Sequence, residues 1–178
     1  VVVTVNHRLN ALGYLYLAQI DPRFPDSGNA GQLDLILALK WVQRNIAAFG
    51  GDPDNVTIVG QSAGSMSVSL LQIDQKAKGL FHKIIGMSGS PFGVMMAPVP
   101  LAEGEARGAA LQAKLGAISI EAMRDMAGDR ILATANMSPG GAVVVDGDHI
   151  IGSPEMVFGT GRNSPVPVML GFTRAERF

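Results

Sequence analysis

One junction limits what this chain can become. Val56-Thr57-Ile58-Val59 is a β-branched run, an apolar helical pattern follows, and Gly60-Gln61-Ser62-Ala63-Gly64 stands between them. A run of this kind reads as a buried strand, and the apolar spacing predicts a helix of about three turns from Ser62. The backbone must therefore turn from strand to helix within a few residues, with a serine on the bend. The five residues fit G-x-S-x-G, the pattern of a serine raised on a tight, strained strand-to-helix elbow. Neighbouring backbone crowds such a turn, so the positions two residues either side of the serine must be minimal. Gly60 and Gly64 meet that demand. The helix start aims its positive end at the hydroxyl, and the Ala63 amide is placed to donate to a developing oxyanion. Gly86-Met87-Ser88-Gly89-Ser90 also follows a strand-like run, but its fifth residue is serine and Pro91 follows, so we read Ser88 as structural.

The same alternation runs through the rest of the chain. Residues 1–6 read as a short buried strand, and 7–29 as irregular, punctuated by Gly13, Pro22, Pro25 and Gly28. Leu35, Leu39, Val42, Ile46 and Phe49 repeat at spacings of four and three, which predicts a helix over 31–49. Gly50-Gly51 closes it with left-handed caps. Strands are expected at 83–88, 142–145 and 166–170, and 101–137 reads as helix in two or three pieces, interrupted at Gly108, Gly116 and Gly128. Apolar strands alternating with helices predict an α/β fold: a mainly parallel sheet with helices on both faces.

Composition narrows the function classes. Net charge is −1 and no basic block occurs, which argues against nucleic acid as a partner. With no cysteine, thiolate chemistry and disulfides are excluded. The longest uncharged stretch, 84–102, carries three prolines and three glycines, so no membrane span is expected. Asp146, Asp148 and His149 lie close in sequence but lack a fourth ligand, and no metal site is read there. Charged residues make up 16% of the chain, below the usual ~25%. That implies more burial than in a free-standing domain of this size, and both ends read as cut through a longer sequence.

The stretch from Phe49 to Gly64 is similar, along its whole length, to the serine signature of the type-B carboxylesterases, the family of cholinesterases and bacterial para-nitrobenzyl esterases. VNHRLNALGYL (5–15), GNAGQLDLILALKWVQRNIAAFGGDP (28–53), GLFHKIIGMSGS (79–90) and VVVDGDHI (143–150) resemble further parts of that family. Gln61 departs from it, since the family commonly carries glutamate there. The resemblance implies the α/β-hydrolase fold, with residues 1–178 as the central part of one domain. It implies a small-molecule ester as substrate, attack by Ser62 through an acyl-enzyme, and no cofactor.

A serine needs a base, and the base needs an orienting acid. In this fold the order along the chain is serine, acid, histidine. Glu176, in the loop after the last expected strand, matches the family's acid, although Ala175 and Arg177 flank it where the family has an acidic residue and glycine. Asp146 and Asp148 are the next candidates, but Asp-Gly-Asp reads as a turn. None of the three histidines fits the base. His7 precedes the serine, His82 reads as a surface or cap residue, and His149 precedes the acid. The resemblance therefore implies that the remainder of the polypeptide supplies the histidine and the Gly-rich oxyanion loop. Two other readings stand beside this one: a non-catalytic adhesion or scaffold member of the same fold, and an inactive gene fragment.

Overall fold

The computed structural model describes residues 1–92, 97–136 and 143–175. Three strands form a parallel sheet in the order β1 (Thr57–Gln61), β2 (Lys83–Met87), β5 (Val168–Gly171). Ile58 lies opposite Ile84, and Ile85 opposite Met169. A second, two-stranded parallel sheet pairs β3 (Val99–Pro100) with β4 (Val144–Val145). The helices are α1 (Asn10–Tyr14), α2 (Ala30–Asn45), α3 (Ala63–Ile73), α4 (Leu101–Leu115), α5 (Ile120–Arg124), α6 (Gly128–Ala135) and α7 (Pro154–Gly159). Parallel pairing needs long crossovers, which α3 to α7 supply, while α1 and α2 precede β1.

The core closes around β1 and β2. Ile36 and Leu39 of α2 and Val68 and Leu71 of α3 pack with Ile58, Ile84 and Phe81. The opposite side of α3 supplies Leu70 and Ile73 to a second cluster with Tyr14, Val143, Ile150 and Val157. A third cluster joins Ala11 and Leu15 to Leu111, Leu115 and Met123. Thus α3 is buried on two sides, and that position fixes the direction in which its first turn points.

Several expectations need correction. Residues 1–6 are not a strand: Val1 and Val2 are 74% and 90% exposed, and no described strand pairs with them. A β-branched run favours extended backbone, but a ladder also needs a partner edge. Residues 7–29 are not wholly irregular, since α1 lies within them. The stripe expected over 31–49 holds through Ile46, with Leu39, Val42 and Ile46 buried and Leu35 packed against the core, and fails only at Phe49. Ile36 is buried, whereas Phe49 is exposed and stacks on Trp41 at 5.7 Å between ring centres. Phe49 closes a 3-10 turn over Ile46–Phe49, next to the left-handed cap at Gly50. Of the two closing glycines, only Gly50 is left-handed, at φ 78°. Gly108 does not interrupt a helix; it lies inside α4, where a Cβ would overlap the Tyr16 carbonyl. Glycine is there for close packing.

Candidate active site

The strand β1 runs directly into α3 through Ser62, whose backbone sits at φ 53°, ψ −120°. A non-glycine residue at positive φ is strained and persists only when its surroundings hold it. Two backbone bonds do so. The Ser62 N–H donates to the Met87 carbonyl of β2 at 2.8 Å, and its own carbonyl accepts from Met66 N–H at 3.1 Å. The side chain is left exposed, above the end of the sheet. Ala63 opens α3, so its N–H is among the groups that a helix start leaves without an intrahelical partner.

The steric demand falls unequally on the two glycines of the elbow. At Gly60 a Cβ would overlap the backbone of Gly64, whereas at Gly64 an added Cβ would meet open space. The crowding therefore comes from the Gly64 backbone, and only Gly60 is compelled among the described residues. Two glycines that sequence reasoning passed over also shape the bend. A Cβ at Gly89 would lie 2.5 Å from the Ser62 carbonyl oxygen, and one at Gly86 would lie 2.7 Å from Ser65 Oγ. Ser65 is fully buried and donates to the Gly89 carbonyl at 2.9 Å. The glycine spacing in GMSGS was the available signal, and its meaning required knowing that α3 crosses β2 there. Ser88 also has positive φ, at 52°, and its N–H bonds the Gly171 carbonyl at 2.8 Å, tying β2 to β5.

Glu176 lies outside the described residues. The segment leading to it leaves β5 at the same sheet edge as Ser62, because all three strands are parallel. Each histidine has structural partners. His7 is half-buried, and burial holds its pKa below the ordinary value against the pull of Asp34. His82 Nδ1 accepts the Val56 N–H at 3.1 Å, just ahead of β1.

His149 is fully buried between two carboxylates, 3.0 Å from Asp74 and 2.8 Å from Asp146. Sequence reasoning missed this cluster, since Asp74 and His149 stand 75 positions apart. Burial pushes the imidazole down, but its contacts with Asp146 and Asp74 outweigh that and raise its pKa to about 9. Burial pushes Asp146 up, and its contacts with His149 and nearby amides prevail, bringing it down to about 2. Asp26, Asp146 and His149 place ligand-type atoms within 4.8 Å of one another. However, the Lys76 ammonium already stands 3.7 Å from Asp26 and 2.5 Å from Asp148.

An open cleft of about 680 Å³ lies elsewhere, lined by Leu15, Met123, Ile131, Arg23 and Arg124 among others; Ser62 is not among its lining residues.

A parallel sheet with helical crossovers and a serine on a left-handed elbow after a strand defines an α/β-hydrolase fold. Comparison with known proteins agrees and goes further. The model of the carboxylesterase family matches residues 1–178, and the chain belongs to that family. It is 52% identical over 90 residues to the para-nitrobenzyl esterase of Bacillus subtilis, covering 51% of this chain and 18% of that protein. It is 37% identical over 179 residues to mouse carboxylesterase 3B, covering 99% of this chain and 30% of that one. Among solved structures, a thermophilic PNB esterase superposes with a TM-score of 0.85 at 33% identity, over 96% of this chain and 36% of its own. The chain thus spans about a third or less of the length of these relatives. Among the described residues, no helix is long and apolar enough to cross a membrane.

Proposed function

We propose that the polypeptide carrying this chain hydrolyses carboxylic esters through an acyl-enzyme at Ser62, with these 178 residues as the central part of one α/β-hydrolase domain. The observation that carries the reading is the backbone of Ser62, held at φ 53°, ψ −120° between strand and helix with its side chain exposed. Strain of this kind clusters at active sites, and Ser62, unlike the structural Ser88, joins it to a position between a strand and the start of a helix. In this reading the Ser62 oxygen attacks the ester carbonyl while its proton passes to a histidine, which then protonates the departing alcohol. Water, deprotonated by the same histidine, releases the acid and restores the serine. The Ala63 N–H stabilises the oxyanion, and Glu176 orients the histidine.

The histidine and the other oxyanion donors come from the remainder of the polypeptide. The exposure of β5 supports that assignment: Val168, Met169 and Leu170 are all exposed, an unusual state for a strand of a parallel sheet. The substrate is a small-molecule ester, and no nucleic acid takes part.

A fluorophosphonate probe applied to the complete polypeptide tests the reading. Labelling at Ser62, abolished by Ser62→Ala, is expected. Intact ester hydrolysis without labelling there would overturn the assignment, and neither labelling nor hydrolysis would make the protein a silent member of its fold.

A further inference from the structure

The helix that starts at the elbow ends in the buried ionic cluster. Asp74 follows α3 directly and is fully buried. One of its oxygens accepts the Lys76 N–H at 2.8 Å, and the other lies 3.0 Å from His149 Nδ1. On the far side of the ring, Nε2 lies 2.8 Å from Asp146 Oδ2, a close contact between the two groups without hydrogen-bond alignment. The second oxygen of Asp146 accepts the N–H groups of Asp148, His149 and Ile150 at 3.0–3.1 Å, which folds the turn after β4 around it. Buried Asn29, ahead of α2, donates to Asp146 at 2.9 Å and pairs with both the N–H and the carbonyl of Val144. The His149 carbonyl accepts from Gln75 N–H at 2.9 Å. Three segments distant in sequence therefore meet at one buried cluster.

The geometry sets the charge of that ring. A neutral imidazole carries one N–H and one lone pair. Between two carboxylates, one contact would then be a lone pair facing an anionic oxygen at hydrogen-bond distance. Only the imidazolium presents a proton to each side. An unpaired buried carboxylate is costly, so the fold and the proton support one another. Among the described residues, the other charged or titratable groups facing the cluster are Lys76 and Asp148, which pair with each other, Asp26, and Tyr16, whose hydroxyl pKa is raised by burial and by carboxylates including Asp146 and Asp26.

We propose that His149 is an imidazolium clasp: shared by Asp74 and Asp146, it positions the nucleophile helix α3 from its far end, and loss of its proton loosens that end reversibly. The position rests on the reading of Ser62 as nucleophile, whereas the charge of the ring does not. Between clasp and serine lies a rod of 11 residues, about 16 Å long. Its last turn, Leu70 and Ile73, shares an apolar cluster with Val157 and with Ile150, whose N–H Asp146 holds. Because the folded state raises the pKa of His149 to about 9 from an ordinary 6.5, the clasp stabilises fully below pH 6.5. That contribution is lost as the pH rises through about 9.

The test uses the complete polypeptide, labelled with ¹⁵N-histidine, with the resonance assigned by its disappearance in His149→Gln. At pH 7.5 both ring nitrogens of His149 are expected to be protonated, and a neutral tautomer there overturns the clasp. The melting temperature of the wild type is expected to fall by roughly 5 °C or more between pH 7 and 10. Asp74→Asn, which keeps the shape, is expected to move that fall about one pH unit lower; an unchanged profile counts against the clasp. At pH 7, His149→Gln is expected to lower kcat roughly tenfold with KM unaltered, and unaltered kcat refutes the positioning role. If His149→Gln fails to fold, Asp74→Asn and the wild-type resonances still decide. A melting temperature raised by zinc and lowered by EDTA would mean that a metal, and not a proton, joins the carboxylates, and the clasp would fall. Absence of Ser62 labelling at every pH would defeat the esterase reading while leaving the resonance and melting measurements to judge the charge.

Discussion

The two ends of α3 face opposite conditions. At its start Ser62 is exposed, strained at φ 53°, and flanked by an N–H that the helix leaves free. At its end Asp74 is wholly buried, and each of its oxygens has a partner. One helix thus joins a site with unused bonding capacity to an anchor whose carboxylate has both oxygens partnered. Strain at one end is tolerable because packing and charge hold the other, and the unused capacity lies where a substrate could take it up.

Removing the hydroxyl should separate the ends most sharply. Ser62→Ala in the complete polypeptide is expected to reduce ester hydrolysis by a factor on the order of 10⁶, measured as initial rate, with little change in the urea midpoint. A variant that kept a substantial share of its activity would place the nucleophile elsewhere. The next effect belongs to the bend itself. Gly60→Ala forces a Cβ into the Gly64 backbone and should cost roughly 3 kcal/mol in urea unfolding. Gly64→Ala should cost less than ~1 kcal/mol or stabilise α3 slightly, since an alanine in a helix interior is favoured over glycine by about that amount. Equal losses at the two positions would mean that the crowding is not the one described.

At the anchored end, Asn29→Ala removes hydrogen bonds to both backbone groups of Val144 and to Asp146. Buried partners left unsatisfied cost about 2 kcal/mol, so a midpoint shift of that size is expected. A negligible shift would show that water reaches the cluster, and the contrast between the two ends would weaken accordingly.

The open end of α3 was legible in the sequence and the buried end was not, for a physical reason. The elbow is local: a β-branched run, a glycine that must lack a Cβ and a helical repeat lie within 18 residues of one another, from Val56 to Ile73. The parallel sheet followed from the same local patterns, and β1, β2 and β5 stand close to their expected places. The anchor depends on pairs such as Asp74 with His149 and Asn29 with Asp146, 75 and 117 positions apart. No periodicity reports a contact of that kind, and a lone histidine after Asp-Gly-Asp reads equally well as the end of a turn. Residues 1–6 erred in the opposite direction. Their local preference was plain, but a strand is a relation between two segments, and no described strand pairs with them.

The smallest expected effect tests whether burial is what distinguishes the anchor. Arg8 reaches Asp34 through its backbone N–H, its Nε at 2.8 Å and a terminal nitrogen at 2.6 Å, a geometry at least as good as that around His149. The Arg8 side chain is 56% exposed, however, so water and salt screen the pair. The hydrogen bonds from Arg8, opposed by partial burial, hold the Asp34 carboxyl below its ordinary value. Its contribution is therefore present above about pH 4 and lost as the pH falls further. Asp34→Asn should cost no more than ~1 kcal/mol at low ionic strength, and most of that should vanish in 1 M salt, where the screening length is about 3 Å. Asp146→Asn should lose stability that salt barely restores, because ions do not enter a site whose imidazole is wholly buried. If salt erased both losses alike, exposure rather than pairing would describe the far end of α3, and the two ends would differ in strain alone.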